Sequence, residues 1–290
     1  MTSYLVTGGS GQMGQCFQAV INEFSEINLF FAMRNEVDII QSETIVNFYN
    51  KNPFEGIINC AAYTNVDKAE KERESTLKIN AEGLQNLIDF AENKNLSIIN
   101  FSTDYVLDGR SAEPYQEDAV TNPIGIYGES KLQAEVILSK SNCKSVTIRT
   151  SWLFSPFGKN FVKTIANLAK DKPELNLVDD QWGRPTYGID LARTILRLIS
   201  TNKIYTSPIF HYANQGVCSW KEFAEAIVNE LECKTIIKGI PASAYPTLAK
   251  RPKHSILDTQ RIEKELGLTI PTWQESLKKC MQILKSDGSL

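Results

Sequence analysis

The strongest constraint on this chain lies at its start, where Thr7-Gly8-Gly9-Ser10-Gly11-Gln12-Met13-Gly14 follows an apolar run at residues 3–7. Gly8, Gly11 and Gly14 fall three residues apart. Side chains there would block a sharp backbone reversal, the close approach of a ligand, and tight packing of the next helix on the preceding strand. Residues 12–24 then read as a helix. A glycine triplet alone predicts only a tight turn. Between a strand and a helix it predicts a phosphate site, because the free N–H groups and positive dipole end of the helix suit the pyrophosphate of a dinucleotide.

The turn opens a regular rhythm. Short β-rich runs at residues 27–32, 56–60, 97–102 and 145–150 alternate with helical patterns at 42–50 and 74–93. In the last of these Leu77, Ala81, Leu84, Leu87, Ile88 and Ala91 share one face. Such alternation predicts an α/β fold, a Rossmann-type doubly wound parallel sheet with right-handed crossovers and helices on both faces. Beyond residue 151 the rhythm loosens, punctuated by Pro156, Pro173, Pro185, Pro208, Pro241, Pro246, Pro252 and Pro271. Helical patterns recur at 160–170, 187–200, 219–231 and 273–285, and Ser219 with Glu222 makes a capping box. The reading is a dinucleotide-binding domain at 1–150 and a smaller C-terminal α/β substrate lobe that takes up most of 151–290. Segments near 186–204 and 253–265 are expected to return to the first domain.

Composition excludes several classes. The net charge of −3 argues against nucleic acid or an anionic membrane as the main partner. The six cysteines are scattered without a Cys-x-x-Cys pair, and only His211 and His254 accompany them, so neither a disulfide framework nor a zinc site is expected. No apolar run approaches the ~20 residues of a membrane span, and no leader-like segment opens the sequence. A cytoplasmic protein is the expectation.

Candidate site residues follow from the sheet. Ligands bind outside the carboxyl ends of parallel strands. Cys60, Ala61 and Ala62 end the third strand with small side chains that leave room for a flat nicotinamide. Ser102, Thr103, Asp104 and Tyr105 end the fourth, with Thr103 placed to hydrogen-bond a substrate oxygen. Tyr127 and Lys131 are four apart, hence on one face of a helix. An ammonium beside a phenol favours the phenolate, which predicts a lowered Tyr127 pKa and a proton donor for a carbonyl–alcohol interconversion. Arg34, just past the second strand, matches a ribose 2′-phosphate, so the reading leans to NADPH over NADH. A solvated surface arginine is the other reading. Asp38 is placed for the adenine or ribose end.

Taken together, the glycine turn, Thr103 and Tyr127-x-x-x-Lys131 resemble the extended short-chain dehydrogenase/reductase family. Five longer strings resemble its dTDP-4-dehydrorhamnose reductase branch: Ala61-Ala62-Tyr63-Thr64-Asn65-Val66-Asp67-Lys68-Ala69-Glu70, Ser102-Thr103-Asp104-Tyr105-Val106, Arg149-Thr150-Ser151-Trp152, Asp180-Gln181-x-Gly183-x-Pro185-Thr186, and Ala244-Tyr245-Pro246-Thr247 with Arg251-Pro252.

The resemblance implies reduction of the C4 ketone of dTDP-6-deoxy-L-lyxo-4-hexulose to dTDP-L-rhamnose. Tyr127 is then the general acid, Lys131 tunes it and holds the ribose, and Thr103 polarises the carbonyl. Cofactor contacts are implied at Gly8, Ser10, Gly11, Gln12, Met13, Gly14, Arg34, Asp38, Ile39, Cys60, Ala61, Ala62, Thr64, Asn80 and Ser102, as well as at Tyr127 and Lys131. Substrate contacts are implied at Val66, Thr103, Asp104, Tyr105, Tyr127, Trp152, Asn160 and Arg251. In this reading Trp152 offers an aromatic face to the deoxysugar and Arg251 clamps the diphosphate. A core tryptophan and a surface salt bridge are the plainer alternatives.

Some members of the family dimerise around magnesium through glutamates that this chain replaces with Gln15, Cys16 and Ile189, so no structural magnesium is expected, and a monomer or weak homodimer is. Two rivals remain open. One is a nucleotide-sugar epimerase or dehydratase, although Tyr105 stands where a dehydratase often carries glutamate. The other is a non-catalytic subunit like the beta subunit of methionine adenosyltransferase.

Overall fold

A computed structural model describes residues 1–290. Its centre is a parallel sheet of β1 (Thr2–Thr7), β2 (Ile27–Phe31), β3 (Gly56–Asn59), β4 (Ser97–Thr103), β5 (Lys144–Thr150) and a late strand, β10 (Ile209–Tyr212). The order across the sheet is β10-β5-β4-β3-β1-β2. The chain reverses its direction of travel between β1 and β3, and that switch point opens a crevice at the strands' carboxyl ends.

The alternation of side chains along β1 shows why helices cover both faces. Tyr4 and Val6 join the larger core with Met13, Cys16, Phe17 and Val20 of α1 (Gln12–Val20) and Leu191, Ala192 and Ile195 of α8 (Gly188–Ser200). Leu5 points to the other face. There it packs with Ile57 and Ile98 against Ile45 of α2 (Ser42–Lys51), Leu84 and Leu87 of α5 (Gly83–Lys94), and Ala134 and Leu138 of α6 (Ile126–Ser139). Two short helices, α3 (Val66–Ala69) and α4 (Arg73–Leu77), precede α5.

The remaining chain forms three two-stranded pairs: β6 (Leu153–Phe154) with β9 (Thr186–Tyr187), β7 (Glu174–Val178) with β12 (Ile236–Ile240), and β8 (Trp182–Gly183) with β11 (Cys218–Ser219). Around them lie α7 (Phe161–Asp171), α9 (Trp220–Leu231), α10 (Gln260–Leu266) and α11 (Trp273–Ser286). The capping box at Ser219 and Glu222 is formed. No helix is long and apolar enough to cross a membrane.

Three departures from the sequence reading have physical causes. The helix expected at 74–93 is interrupted by a π-helical turn, Lys78–Glu82, which admits an extra residue and swings Asn80 inward. The helix expected at 12–24 ends at Val20, and Ile21–Glu23 is a 3-10 turn. The sixth strand, β10, lies outside both segments expected to return to the sheet. At four residues, just after Pro208, it carries little periodic signal.

Candidate active site

Gly8, with φ +61°, turns the chain at the end of β1, and a Cβ there would lie 3.0 Å from the Ala61 nitrogen. A Cβ on Gly14 would sit 2.5 Å from the Gly9 carbonyl oxygen, so glycine is what lets α1 start so close to the strand. No side chain caps α1 and no acid stands in its first turn. Its N–H groups are therefore available to an anion. Beneath the turn the Thr7 hydroxyl donates to Asn59 Oδ1 (2.7 Å), the Asn59 amide donates to Asn100 Oδ1 (2.9 Å), and the Ala61 N–H donates to Thr7 Oγ1 (3.3 Å). This ladder ties the ends of β1, β3 and β4 together.

The expected cofactor contacts divide. Gly11 and Ser10 are exposed at the mouth of the turn, Ala61 and Ala62 line the crevice half-buried, and Thr64 is exposed. Gln12 reaches across to the Leu153 carbonyl (3.4 Å). Met13 and Ile39 are buried in the two cores, so their side chains pack and only their backbones face the turn or the adenine end. Arg34 is exposed, with Nε 3.5 Å from an Asp38 carboxylate oxygen. The two residues proposed for the ribose end thus already touch each other. Asn80 stands behind the site: it donates to the Tyr63 carbonyl (3.1 Å) and Ser130 Oγ (2.9 Å) and accepts from the Tyr63 N–H (2.8 Å). Both of its N–H donors are used on protein, and they hold the 61–64 loop to α6.

The Tyr127 end of α6 is fixed from three sides. Glu70 accepts the Ile126 N–H (2.9 Å), Ser130 donates to the Tyr127 carbonyl (2.7 Å), and Gly128 lies so close to Tyr105 that a Cβ would overlap its carbonyl oxygen. Glu70 and Gly128 were not anticipated as site residues; a glycine inside a helical pattern was the one available signal. The Tyr127 ring meets Tyr105 edge-on at 5.8 Å, and the Thr103 hydroxyl stands beside the phenol.

Electrostatics here run opposite to one expectation. The Tyr127 phenol is pushed up to about 12, by burial first and the Asp104 carboxylate second; Thr103 opposes this and Lys131 contributes nothing noticeable. Lys131 is buried and its ammonium is lowered to about 8 by desolvation, against Glu135 and the Cys60 thiol. Asp104 is pushed up to about 6 by burial. Before any ligand arrives, burial outweighs the lysine's field.

Ser102 Oγ, Asp104 Oδ2 and Asn100 Nδ2 are buried in this corner without a hydrogen-bond partner. Such atoms cost about 1–3 kcal/mol each unless a ligand or water satisfies them. With the glycine cradle and uncapped α1, these atoms are the fit expected for a dinucleotide and a polar substrate.

Second-lobe residues need more revision. Trp152 has φ +45°, a strained conformation for a bulky residue. Its ring stacks on Trp220 at 3.5 Å and 7°, while a Cβ on Gly183 would lie 2.6 Å from Trp152 Cε2. Trp220 thus covers one face of the Trp152 ring, and Gly183 lies close against the ring. The Asn160 amide donates to the Ser155 (2.8 Å) and Phe157 (3.2 Å) carbonyls and its oxygen accepts the Lys163 N–H, so its side chain caps α7 and its amide donors are already used. Arg251 forms a two-pronged pair with Asp67 of α3 (2.9 and 3.3 Å), bridging the lobes beside Val66 and Tyr105. No group of three or more His, Cys, Asp or Glu side chains is arranged to hold a metal ion.

Comparison with known proteins agrees along nearly the full length. Residues 1–286 match the family described as RmlD substrate binding domain. The dTDP-4-dehydrorhamnose reductase of Aggregatibacter actinomycetemcomitans is 35% identical over 287 residues, which is 96% of this chain and 98% of that protein. The spore coat polysaccharide biosynthesis protein SpsK of Bacillus subtilis is 37% identical over 284 residues, with 97% and 98% covered. A crystal structure of dTDP-4-dehydrorhamnose reductase from Bacillus anthracis in complex with NADP superimposes with a TM-score of 0.92 at 34% identity, covering 98% of this chain and 100% of that one.

Proposed function

This chain belongs to the RmlD substrate binding domain family, and from that premise we infer its reaction and the residues that carry it. It is an NAD(P)H-dependent oxidoreductase that reduces the C4 ketone of dTDP-6-deoxy-L-lyxo-4-hexulose to give dTDP-L-rhamnose. The observation that carries the residue assignment is the meeting of Thr103 and Tyr127 beside partnerless polar atoms at the carboxyl ends of the strands.

A bound nicotinamide supplies hydride to the carbonyl carbon. Tyr127 supplies the proton to the oxygen. The phenol is protonated at pH 7, as a reduction needs, but its raised pKa makes it a weaker acid that donors to the ketone oxygen must help. Lys131 is still largely cationic at neutral pH, and we assign it to the cofactor ribose rather than to a direct effect on the phenol. Thr103 offers a second polar contact to the ketone oxygen. The uncapped start of α1 holds the cofactor's pyrophosphate, and Arg34 its 2′-phosphate, which favours NADPH over NADH. Arg251 contacts the substrate diphosphate by exchanging Asp67 for it.

The test is purified protein with the 4-keto sugar nucleotide and each reduced cofactor. One cofactor consumed per ketone reduced supports the reading. A product formed without net cofactor loss would instead indicate an epimerase or dehydratase.

A further inference from the structure

We infer that Asp104 is a positioning residue for this reduction: it decides whether the one proton of the Thr103 hydroxyl points at its own carboxylate or at the substrate ketone. The inference rests on the proposed reaction and adds a control on its donors.

The argument is a count of bonds. A threonine hydroxyl has one proton to give and two lone pairs to receive with. Thr103 gives its proton to Asp104 Oδ1 (3.0 Å), and its oxygen accepts the Tyr105 N–H (3.2 Å). The Tyr127 phenol lies beside this hydroxyl. With Asp104 ionised, the proton of Thr103 is committed to the carboxylate, and Thr103 meets any ketone only as an acceptor. It cannot then polarise a carbonyl.

Protonation of Asp104 reverses the chain. The new carboxyl O–H donates to Thr103 Oγ1, both lone pairs of Thr103 are filled by Asp104 and the Tyr105 N–H, and the Thr103 proton is released outward. Thr103 then joins Tyr127 as a donor to the ketone oxygen, which is the arrangement the developing alkoxide needs.

Asp104 is built for two states. It is 2% exposed, and Oδ2 has no partner in good hydrogen-bond geometry, although the Ser255 hydroxyl faces the carboxylate. Burial brings its titration up to about 6, within reach of neutral pH. The ionisable groups around it are Tyr127 from α6 and Tyr105 from its own turn, with Asp67 of α3 and Arg251 beyond Tyr105; Ser255 is the non-titrating contact from the segment before α10.

The experiment is single-turnover reduction of the ketone from pH 5 to 7.5, below the titration of Lys131. Wild type is expected to slow as pH rises, by about tenfold per unit once past the Asp104 midpoint. Asp104→Asn should lose that slope. Thr103→Val should also lose it, and adding Asp104→Asn to Thr103→Val should change the rate by less than about twofold, because Asp104 acts through Thr103. Thr103→Ser should keep the slope. Should Asp104→Asn fail to fold, the contrast between Thr103→Val and Thr103→Ser still decides. A flat wild-type profile, or a slope that survives in Asp104→Asn or Thr103→Val, overturns the inference. So does a full Asp104→Asn effect in the Thr103→Val background, which would put Asp104 directly on the substrate. No ketone reduction by wild type with either cofactor would sink the proposed function itself, a separate result.

Discussion

Two clusters of buried polar groups lie on either side of Lys131, and they are built differently. Below it, Arg149 donates twice to Glu135 (2.9 and 2.7 Å), once to the Glu117 carbonyl (3.2 Å), and meets His211 Nε2 at 3.3 Å, while His211 Nδ1 meets the Tyr115 carbonyl at 3.1 Å. These partners fix His211 as neutral, with its proton on Nδ1. Above Lys131, at the crevice, Ser102, Asp104 and Asn100 each leave an atom without a partner. The lower cluster is scaffold, and all three guanidinium nitrogens of Arg149 are bonded within it. The upper cluster keeps capacity in reserve, as a site that must bind something polar does. Burial alone does not separate them, because each holds a buried carboxylate beside buried hydrogen-bonding groups.

If this contrast is right, disrupting the upper cluster should cost rate and disrupting the lower one should cost stability. Tyr127→Phe is the largest effect expected: turnover falls ~10²–10⁴-fold, while the melting temperature and the Kd for the reduced cofactor stay near wild type. Wild-type turnover in this variant would remove Tyr127 as the acid.

In the lower cluster, Arg149→Met leaves the Glu135 carboxylate buried and unpaired. We expect a loss of about 3–5 kcal/mol in urea unfolding. Arg149→Met with Glu135→Leu should recover part of that, because the unpaired carboxylate is gone while Lys131 loses Glu135 as a neighbour. A single variant as stable as wild type would show the pair to be idle.

His211 gives a pH signature of the same cluster. Burial and the Arg149 charge lower its pKa from 6.5 to about 3. The unfolded chain therefore takes up a proton below pH 6.5 that the folded chain refuses until about 3. Stability must fall with pH across that window, by about 2 kcal/mol from this one group at pH 5. Asp104, whose pKa is raised, works in the opposite sense over part of the range, so the comparison is wild type against His211→Gln at pH 7 and 5. Equal slopes for the two would contradict the buried neutral imidazole.

The same contrast explains what could be read from sequence. The glycine turn, the alternation of strands and helices, and Thr103, Tyr127 and Lys131 depend on local spacing, and local spacing is written in the chain. Less legible were the residues whose bonding partners the motifs do not name. The Asn80 amide is held by the Tyr63 carbonyl, and the Asn160 amide by the Ser155 and Phe157 carbonyls of its own turn. Trp152 has the chemistry of a sugar platform, but Trp220, sixty-eight positions later in the chain, covers a face. The π-turn at Lys78–Glu82 left no trace in a pattern whose apolar face fits an unbroken helix. The Lys131 effect on Tyr127 was argued from four-residue spacing alone, and burial, which spacing does not reveal, dominates it.

Arg34 tests where the contrast stops, because it belongs to neither cluster. Its side chain is 74% exposed and its one partner, Asp38, is 3.5 Å away, so the pair is screened by water and contributes little to folding. A 2′-phosphate arriving at this edge would compete with Asp38 for the guanidinium, and its greater charge and matching geometry favour it. Arg34→Ala should therefore leave stability unchanged and raise the KM for NADPH roughly three- to tenfold more than that for NADH, the smallest effect proposed. Asp38→Asn should move the ratio the other way, since it frees Arg34 and removes a negative charge from beside the phosphate. Parallel changes in both KM values would leave Arg34 a solvated surface arginine. Any preference between the two cofactors would then have to come from other contacts at the ribose edge.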